Sequence, residues 1–147
     1  MIRWFGVLIL SGLLLTGVVG CGGSNEKIVP GAGKVSYAGQ ALGTGTVVFR
    51  PDSSKGNVSK HEPRGSIDTQ GNYILKLADK EGAPVGWYKV GVIATKSVSA
   101  TDSKPGGMPP PPTSLIPTKY GNPDGSGLLI QVKESPSSGE YDIKLAK

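Results

Sequence analysis

The sequence contains only one cysteine, Cys21, and only one histidine, His61. A chain with one cysteine forms no intramolecular disulfide, so an apolar core must hold its fold together. A metal site at His61 would have to recruit Glu62 and further ligands, and two adjacent loop residues seldom converge on one ion. We therefore predict no metal site and no cofactor, and we interpret His61 as a solvated loop residue.

Charged residues are also sparse, at 18% of the chain, with a net charge of +5. The lysines lie singly and mostly alternate with apolar residues. A surface that binds nucleic acid usually shows a cluster of Lys and Arg interleaved with aromatic residues. Because the sequence has no such cluster, we predict no nucleic acid partner and assign the lysines to solvated strand faces.

One long apolar run is present, from Trp4 to Val19, after the single positive residue Arg3. Its length of about 16 residues is short for a membrane-spanning helix but typical of a signal-peptide core. The run ends in "VVGC", which resembles the bacterial lipobox, where small or aliphatic residues precede an obligatory cysteine. The resemblance implies cleavage before Cys21 and lipidation of Cys21.

This reading predicts three regions. Residues 1–20 form a lipoprotein signal peptide, residues 21–32 are the lipidated Cys21 and a flexible tether, and residues 33–147 are the folded domain. Acyl chains on Cys21 would give durable attachment to a membrane. We therefore expect a cell-envelope protein anchored by its N-terminal lipid, at the periplasmic or surface face of the outer membrane.

After the tether, apolar residues recur at every second position, as half-buried strands require. The alternation covers seven segments, residues 35–37, 46–50, 66–68, 73–77, 87–94, 128–132 and 141–145. Turn residues fill the gaps, and no segment of the mature chain has a convincing helical period. The pattern predicts an all-β fold, a seven-stranded antiparallel Greek-key β-sandwich of immunoglobulin-like or transthyretin-like type, with Tyr88 facing inward.

Three stretches resemble carboxypeptidase-regulatory-like domains, which have a transthyretin-like fold. "GKVSYAGQALGTGTVVFRP" resembles their first two strands, "GSIDTQGNYILKL" their Asp-x-x-Gly-x-Tyr hairpin, and "GAPVGWYKVGV" their Gly-x-Tyr-x-Val strand. "LIPTKYGNPDGSGLLIQV" is similar to a segment of small planctomycete lipoproteins that carry this domain. The resemblance implies the transthyretin-like sandwich but no settled activity.

An enzymatic function is not expected. The transthyretin-like hydroxyisourate hydrolases rely on several histidines and a C-terminal Tyr-Arg-Gly-Ser motif, whereas this chain has one histidine and ends in Lys144-Leu145-Ala146-Lys147. The G-x-S-x-G elbow of Ser-His-Asp hydrolases is also missing. We therefore predict no catalytic residues.

Trp87, Lys119 and Tyr120 are the candidate binding residues. If Tyr88 faces inward, Trp87 faces outward, where it can stack on a sugar or a protein partner, unless Pro84 or the following segment covers it.

That following segment, residues 96–127, contains "PGGMPPPP", which we read as an extended surface spacer. We expect "SLIPTKYGN" to pack on the sandwich through Leu115, Ile116 and Tyr120. Asn122, Asp124 and Ser126 favour a turn over a calcium loop.

Together these features predict a non-enzymatic, lipid-anchored β-sandwich that acts as a binding or structural module for a protein or glycan partner in the envelope. An accessory subunit that buttresses a larger envelope complex is the alternative, and a small hydrolase is a third, weaker one.

Overall fold

The structure is a computed structural model that describes residues 26–96 and 111–147. Regular structure in these residues consists of β-strands and two 3₁₀ helices, Ser53–Lys55 and Thr118–Gly121. The predicted all-β class is therefore confirmed. The predicted signal peptide, Cys21 and the first six residues of "PGGMPPPP" lie outside the described residues.

The strands are short and follow one another closely. In chain order they are β1 (Ile28–Val29), β2 (Ala32–Tyr37), β3 (Gln40–Ala41), β4 (Thr46–Pro51), β5 (Arg64–Ser66), β6 (Asn72–Ile74), β7 (Lys76–Leu77), β8 (Lys80–Glu81), β9 (Ala83–Pro84), β10 (Gly86–Ile93), β11 (Thr95–Lys96), β12 (Thr113–Ser114), β13 (Leu129–Val132) and β14 (Ile143–Leu145).

The larger sheet has six strands in the order β13-β10-β4-β5-β7-β8, and all its neighbours are antiparallel. Strand β10 lies between β13 and β4, with Tyr88, Val90 and Val92 fully buried on the inner face. Its alternate residues form the outer face, as the period of two in the sequence predicts.

The smaller sheet has the order β14-β2-β3, and β6 also pairs with β2. Here one expectation is wrong, because β14 runs parallel to β2, with Ile143 opposite Val35. A parallel neighbour needs a crossover rather than a hairpin, and strand direction is invisible to an alternation pattern. Two further pairs, β1 with β9 and β11 with β12, are antiparallel.

One core cluster joins the two sheets, an arrangement consistent with a β-sandwich. It includes Val35 of the smaller sheet and Phe49 and Tyr88 of the larger one. The ring of Phe49 lies between two tyrosine rings, 6.3 Å from that of Tyr73 and 5.8 Å from that of Tyr88. Tilted aromatic pairs at these distances stabilise a core beyond the area they bury.

The folded part begins before residue 33, the boundary expected from the sequence. Strand β1 pairs with β9, and Val29 is buried. Residues 28–32 therefore belong to the domain rather than to the flexible tether, because strand pairing and burial of Val29 hold them in place.

The segment after β12 packs on the sandwich as predicted, with one difference. Ile116 and Tyr120 are buried in the core cluster, but Leu115 is exposed. The base of the long connection is fixed by the pairing of β11 with β12. Within the described residues, no helix has the length and apolar character that a membrane span would need.

Candidate functional site

Trp87 lies near the start of β10 and is half-buried. The Nζ atom of Lys55 lies 4.7 Å from the centre of the Trp87 ring. Such a cation–π contact is weak at an exposed site and a flexible lysine can leave it. The Trp87 ring is therefore an aromatic surface that the Lys55 side chain covers and can leave.

Lys119 and Tyr120 lie elsewhere. Their 3₁₀ helix packs on β10 near Ile93, and the Tyr120 hydroxyl accepts a hydrogen bond from the Ala146 N–H at 3.1 Å. Trp87 and Ile93 are separated by about 20 Å along the strand. The structure therefore does not unite Trp87, Lys119 and Tyr120 in one surface, and Tyr120 is a core residue.

Between these two ends, the outer face of β10 carries an ion network. Asp124 accepts hydrogen bonds from Arg50 Nη1 at 2.7 Å and from Lys89 Nζ at 3.1 Å. The bond from Lys89, followed by that from Arg50, lowers the pKa of Asp124. Arg50 also donates to Glu62 at 2.9 Å. The carboxylates here are thus occupied by neighbouring cations.

The Asn122–Ser126 stretch is a turn, as favoured by the sequence. Asn122 Oδ1 accepts from the Asp124 N–H, and the buried Ser126 hydroxyl donates to the Val90 carbonyl at 2.5 Å. Pro123 packs on Gly91, where a Cβ atom would lie 2.9 Å from the proline Cγ. These contacts hold the turn against β10. The side-chain oxygen atoms of the turn are hydrogen-bonded to other groups of the same chain.

A small outer-face cleft of about 290 Å³ opens beside this turn. Lys55, Lys89, Asp124 and Leu129 contribute to its walls. Because Lys55 also covers Trp87, the cleft and the aromatic surface share one movable side chain.

A larger concavity lies at the opposite part of the larger sheet, where the strand after the Asp68 turn stops pairing with β2 and begins to pair with β5. We call it the corner cleft. It measures about 600 Å³ and is lined by Thr46, Glu62, Arg64, Ser66, Ile74 and Lys76, among others. Ligand sites commonly have volumes in this range.

The corner cleft lies where one strand serves two sheets. Asn72–Ile74 pairs with β2, whereas Lys76–Leu77 pairs with β5 and β8, and the buried Leu75 lies between them. The expected single strand 73–77 is thus divided. Ile74 and Lys76, on either side of this change of partner, both line the cleft.

Two cations face each other in the wall of this cleft. Arg64 and Lys76 are paired directly across β5 and β7. Like charges in that position repel each other. Each cation has one carboxylate within ion-pair distance, since Arg64 Nη2 lies 3.5 Å from Glu62 and Lys76 Nζ lies 3.7 Å from Glu81. A guanidinium or ammonium group has more N–H donors than one such contact uses, so both cations can also donate to a ligand.

The hydroxyls of Thr46 and Ser66 lie beside these cations on paired positions of β4 and β5. Ile74, which is 49% exposed, adds an apolar surface. The lining thus combines hydrogen-bond donors, acceptors and an apolar area without one dominant charge. Such a mixture fits a ligand that carries many hydroxyl groups on a carbon frame.

Sequence reasoning did not select the corner cleft. The Asp-x-x-Gly-x-Tyr hairpin could have pointed to this cleft, because the residues on both sides of the hairpin form the walls of the cleft. The change of strand partner at Leu75, however, depends on tertiary pairing and is not visible in the sequence. His61 is exposed on its loop, and its N–H donates to Ser59 Oγ at 3.2 Å.

Across the described part of the chain, no group of three or more His, Cys, Asp and Glu side chains is placed to hold a metal ion. Comparisons with protein-family models, with curated proteins and with solved structures give no match.

Proposed function

We propose that the protein is a non-enzymatic, lipid-anchored module of the cell envelope that binds a glycan in the corner cleft. The observation that carries the binding role is the cleft itself, whose lining brings together the paired Arg64 and Lys76 and the exposed Ile74. The anchor is supported by the lipobox resemblance at Cys21.

We also propose that the domain is a variant of the transthyretin-like, seven-stranded Greek-key sandwich of carboxypeptidase-regulatory-like domains. Support comes from the positions of the shared motifs. The Phe-x-Pro motif ends β4, the Asp-x-x-Gly-x-Tyr motif turns from β5 into β6, and the Gly-x-Tyr-x-Val motif forms the central strand β10.

A glycan array probed with the detergent-extracted protein tests the binding role, and two lysine variants locate the site. Lys76→Ala removes a cleft cation, and Lys144→Ala removes an exposed strand lysine that does not line the cleft. A charge-assisted hydrogen bond is worth about 1.5–3 kcal/mol, so Lys76→Ala should weaken glycan binding at least about tenfold. Lys144→Ala should bind like the wild type.

Equal binding by the two variants would remove the corner cleft from the proposal. If no glycan binds and a protein co-purifies in stoichiometric amount from native membranes, the alternative function, an accessory subunit of an envelope complex, takes its place.

A further inference from the structure

The N-terminal end of the described domain lies next to the start of β10. Glu26 accepts a hydrogen bond from Ser59 Oγ at 2.8 Å. Asn57, two residues earlier, donates to the Trp87 carbonyl at 2.9 Å and contacts Gly86. These contacts bring three stretches of the chain into one neighbourhood, residues 26–27, 55–60 and 84–87.

This neighbourhood presents apolar as well as charged side chains at the surface. Val58 is 81% exposed and Val85 is 42% exposed, and Trp87 is half-buried beside them. Lys55 and Lys60 are exposed, and neither has an ion-pair partner within the described residues. We call these five residues the anchor-side surface.

The carboxylates near this surface already have partners. Glu26 accepts from Ser59, and Glu134 forms an ion pair with Lys27 at 2.9 Å. Asp52 is buried and accepts from the Ser54 hydroxyl at 2.6 Å. Lys55 and Lys60 are thus the charges that remain free to interact with an external anion.

The length of the chain between the predicted anchor and the domain limits what this surface can meet. Only four residues separate Cys21 from Glu26. Even fully extended, the chain from Cys21 to Glu26 spans at most about 18 Å. A lipid on Cys21 would therefore keep the anchor-side surface within a short distance of the membrane.

We propose that the anchor-side surface docks on the bilayer, with Trp87 and the two valines at the level of the headgroups and Lys55 and Lys60 toward anionic lipid. This inference rests on the proposed lipid anchor. Tryptophan favours the membrane interface, and a lysine near anionic lipid adds about 1 kcal/mol of attraction. Lys55 can keep its ammonium group among the headgroups while its stem remains on the Trp87 ring.

The fluorescence of Trp87 can report the docking directly, because the only other tryptophan, Trp4, lies in the predicted signal peptide. The acylated chain that begins at Cys21 is reconstituted in phosphatidylglycerol-containing vesicles whose acyl chains are brominated near the headgroup. Flotation of the vesicles reports the anchor, and quenching of tryptophan fluorescence reports docking. Trp87→Phe supplies the background signal.

We expect the protein to float and Trp87 emission to be quenched by brominated but not by ordinary vesicles. Val58→Asp should greatly reduce the quenching and leave flotation unchanged. Leu115→Asp is the matched control, because Leu115 is similarly placed in a connection, is 41% exposed and bonds through its N–H to Ala94, beyond the far end of β10. It should quench like the wild type.

Flotation without quenching of Trp87, or equal quenching in the Val58→Asp and Leu115→Asp variants, would overturn the docking while leaving the anchor in place. A protein that does not float would overturn the lipid anchor and, with it, the docking.

Discussion

At the scale of single residues, neighbouring positions of β10 have opposite roles. Tyr88 is fully buried and its hydroxyl donates to the Pro84 carbonyl at 2.8 Å, whereas Lys89 reaches Asp124 on the outer face. The sequence alternation predicts this division correctly. Val48 is an exception, because it occupies an outer-face position between Val47 and Phe49 but is buried. It pairs with Gly91, on which Pro123 packs, and alternation does not reveal a loop folded over a sheet.

Tyr88→Ala should therefore lower the free energy of unfolding by about 3–5 kcal/mol, the cost of truncating a large buried side chain. Tyr88→Phe keeps the ring and loses one hydrogen bond, so we expect a loss of about 1 kcal/mol. Lys89→Ala removes only a partly exposed ion pair and should cost about 1 kcal/mol or less. Urea denaturation measures all three. Equal losses for Tyr88→Ala and Lys89→Ala would show that the strand faces are reversed.

At the scale of an element, the hairpin from β5 to β6 shows what the Asp-x-x-Gly-x-Tyr pattern does physically. Asp68 Oδ1 accepts from the N–H groups of Gln70 and Asn72, both at 2.8 Å. Gly71 has a φ of 84°, and a Cβ atom there would lie 2.8 Å from the Val35 carbonyl oxygen. The hydroxyl of the buried Tyr73 donates to the Tyr141 carbonyl at 2.6 Å. One motif thus builds the turn and ties it to the segment leading into β14.

The Asp68 turn should make stability depend on acid pH. The side chain of Asn72, then its backbone N–H, lowers the pKa of Asp68. A carboxylate with a lowered pKa in the folded state contributes stability above its unfolded pKa and loses it as pH falls through the folded value. Thermal unfolding of the wild type should therefore shift to lower temperature below about pH 4.

Asp68→Asn should unfold at a lower temperature than the wild type at neutral pH and show a weaker acid dependence. Asp79→Asn, a change at an exposed carboxylate of a neighbouring turn, is the control and should follow the wild type. Parallel acid profiles for the wild type and Asp68→Asn would contradict the role given to this side chain.

At the scale of the whole molecule, local sequence patterns predict the fold class and most strand positions. They do not predict which strands pair with each other or in which direction. The parallel pairing of β14 with β2 and the change of partners at Leu75 depend on contacts between distant segments. The corner cleft lies at that change of partners, so it could not be located from the sequence. Trp87 was selected from the sequence because an outward position beside Tyr88 follows from strand parity alone.

For the whole molecule we propose a membrane anchor, a surface beside it that docks on the bilayer, and a cleft along the far strands of the larger sheet. The docking depends on what happens at Cys21, whereas glycan binding in the cleft does not. If Cys21 is acylated, the domain stays within a short tether of the bilayer. If it is not, the anchor-side surface has no membrane nearby.

The most direct measurement is therefore the intact mass and N-terminal peptide of the protein extracted from native membranes, compared with those of Cys21→Ser. We predict a mature chain that begins at Cys21 and carries acyl groups, and an unacylated, uncleaved precursor for Cys21→Ser. A wild-type chain that retains residues 1–20 without acyl groups, or a Cys21→Ser chain that is still acylated, would contradict the lipid-anchored envelope module.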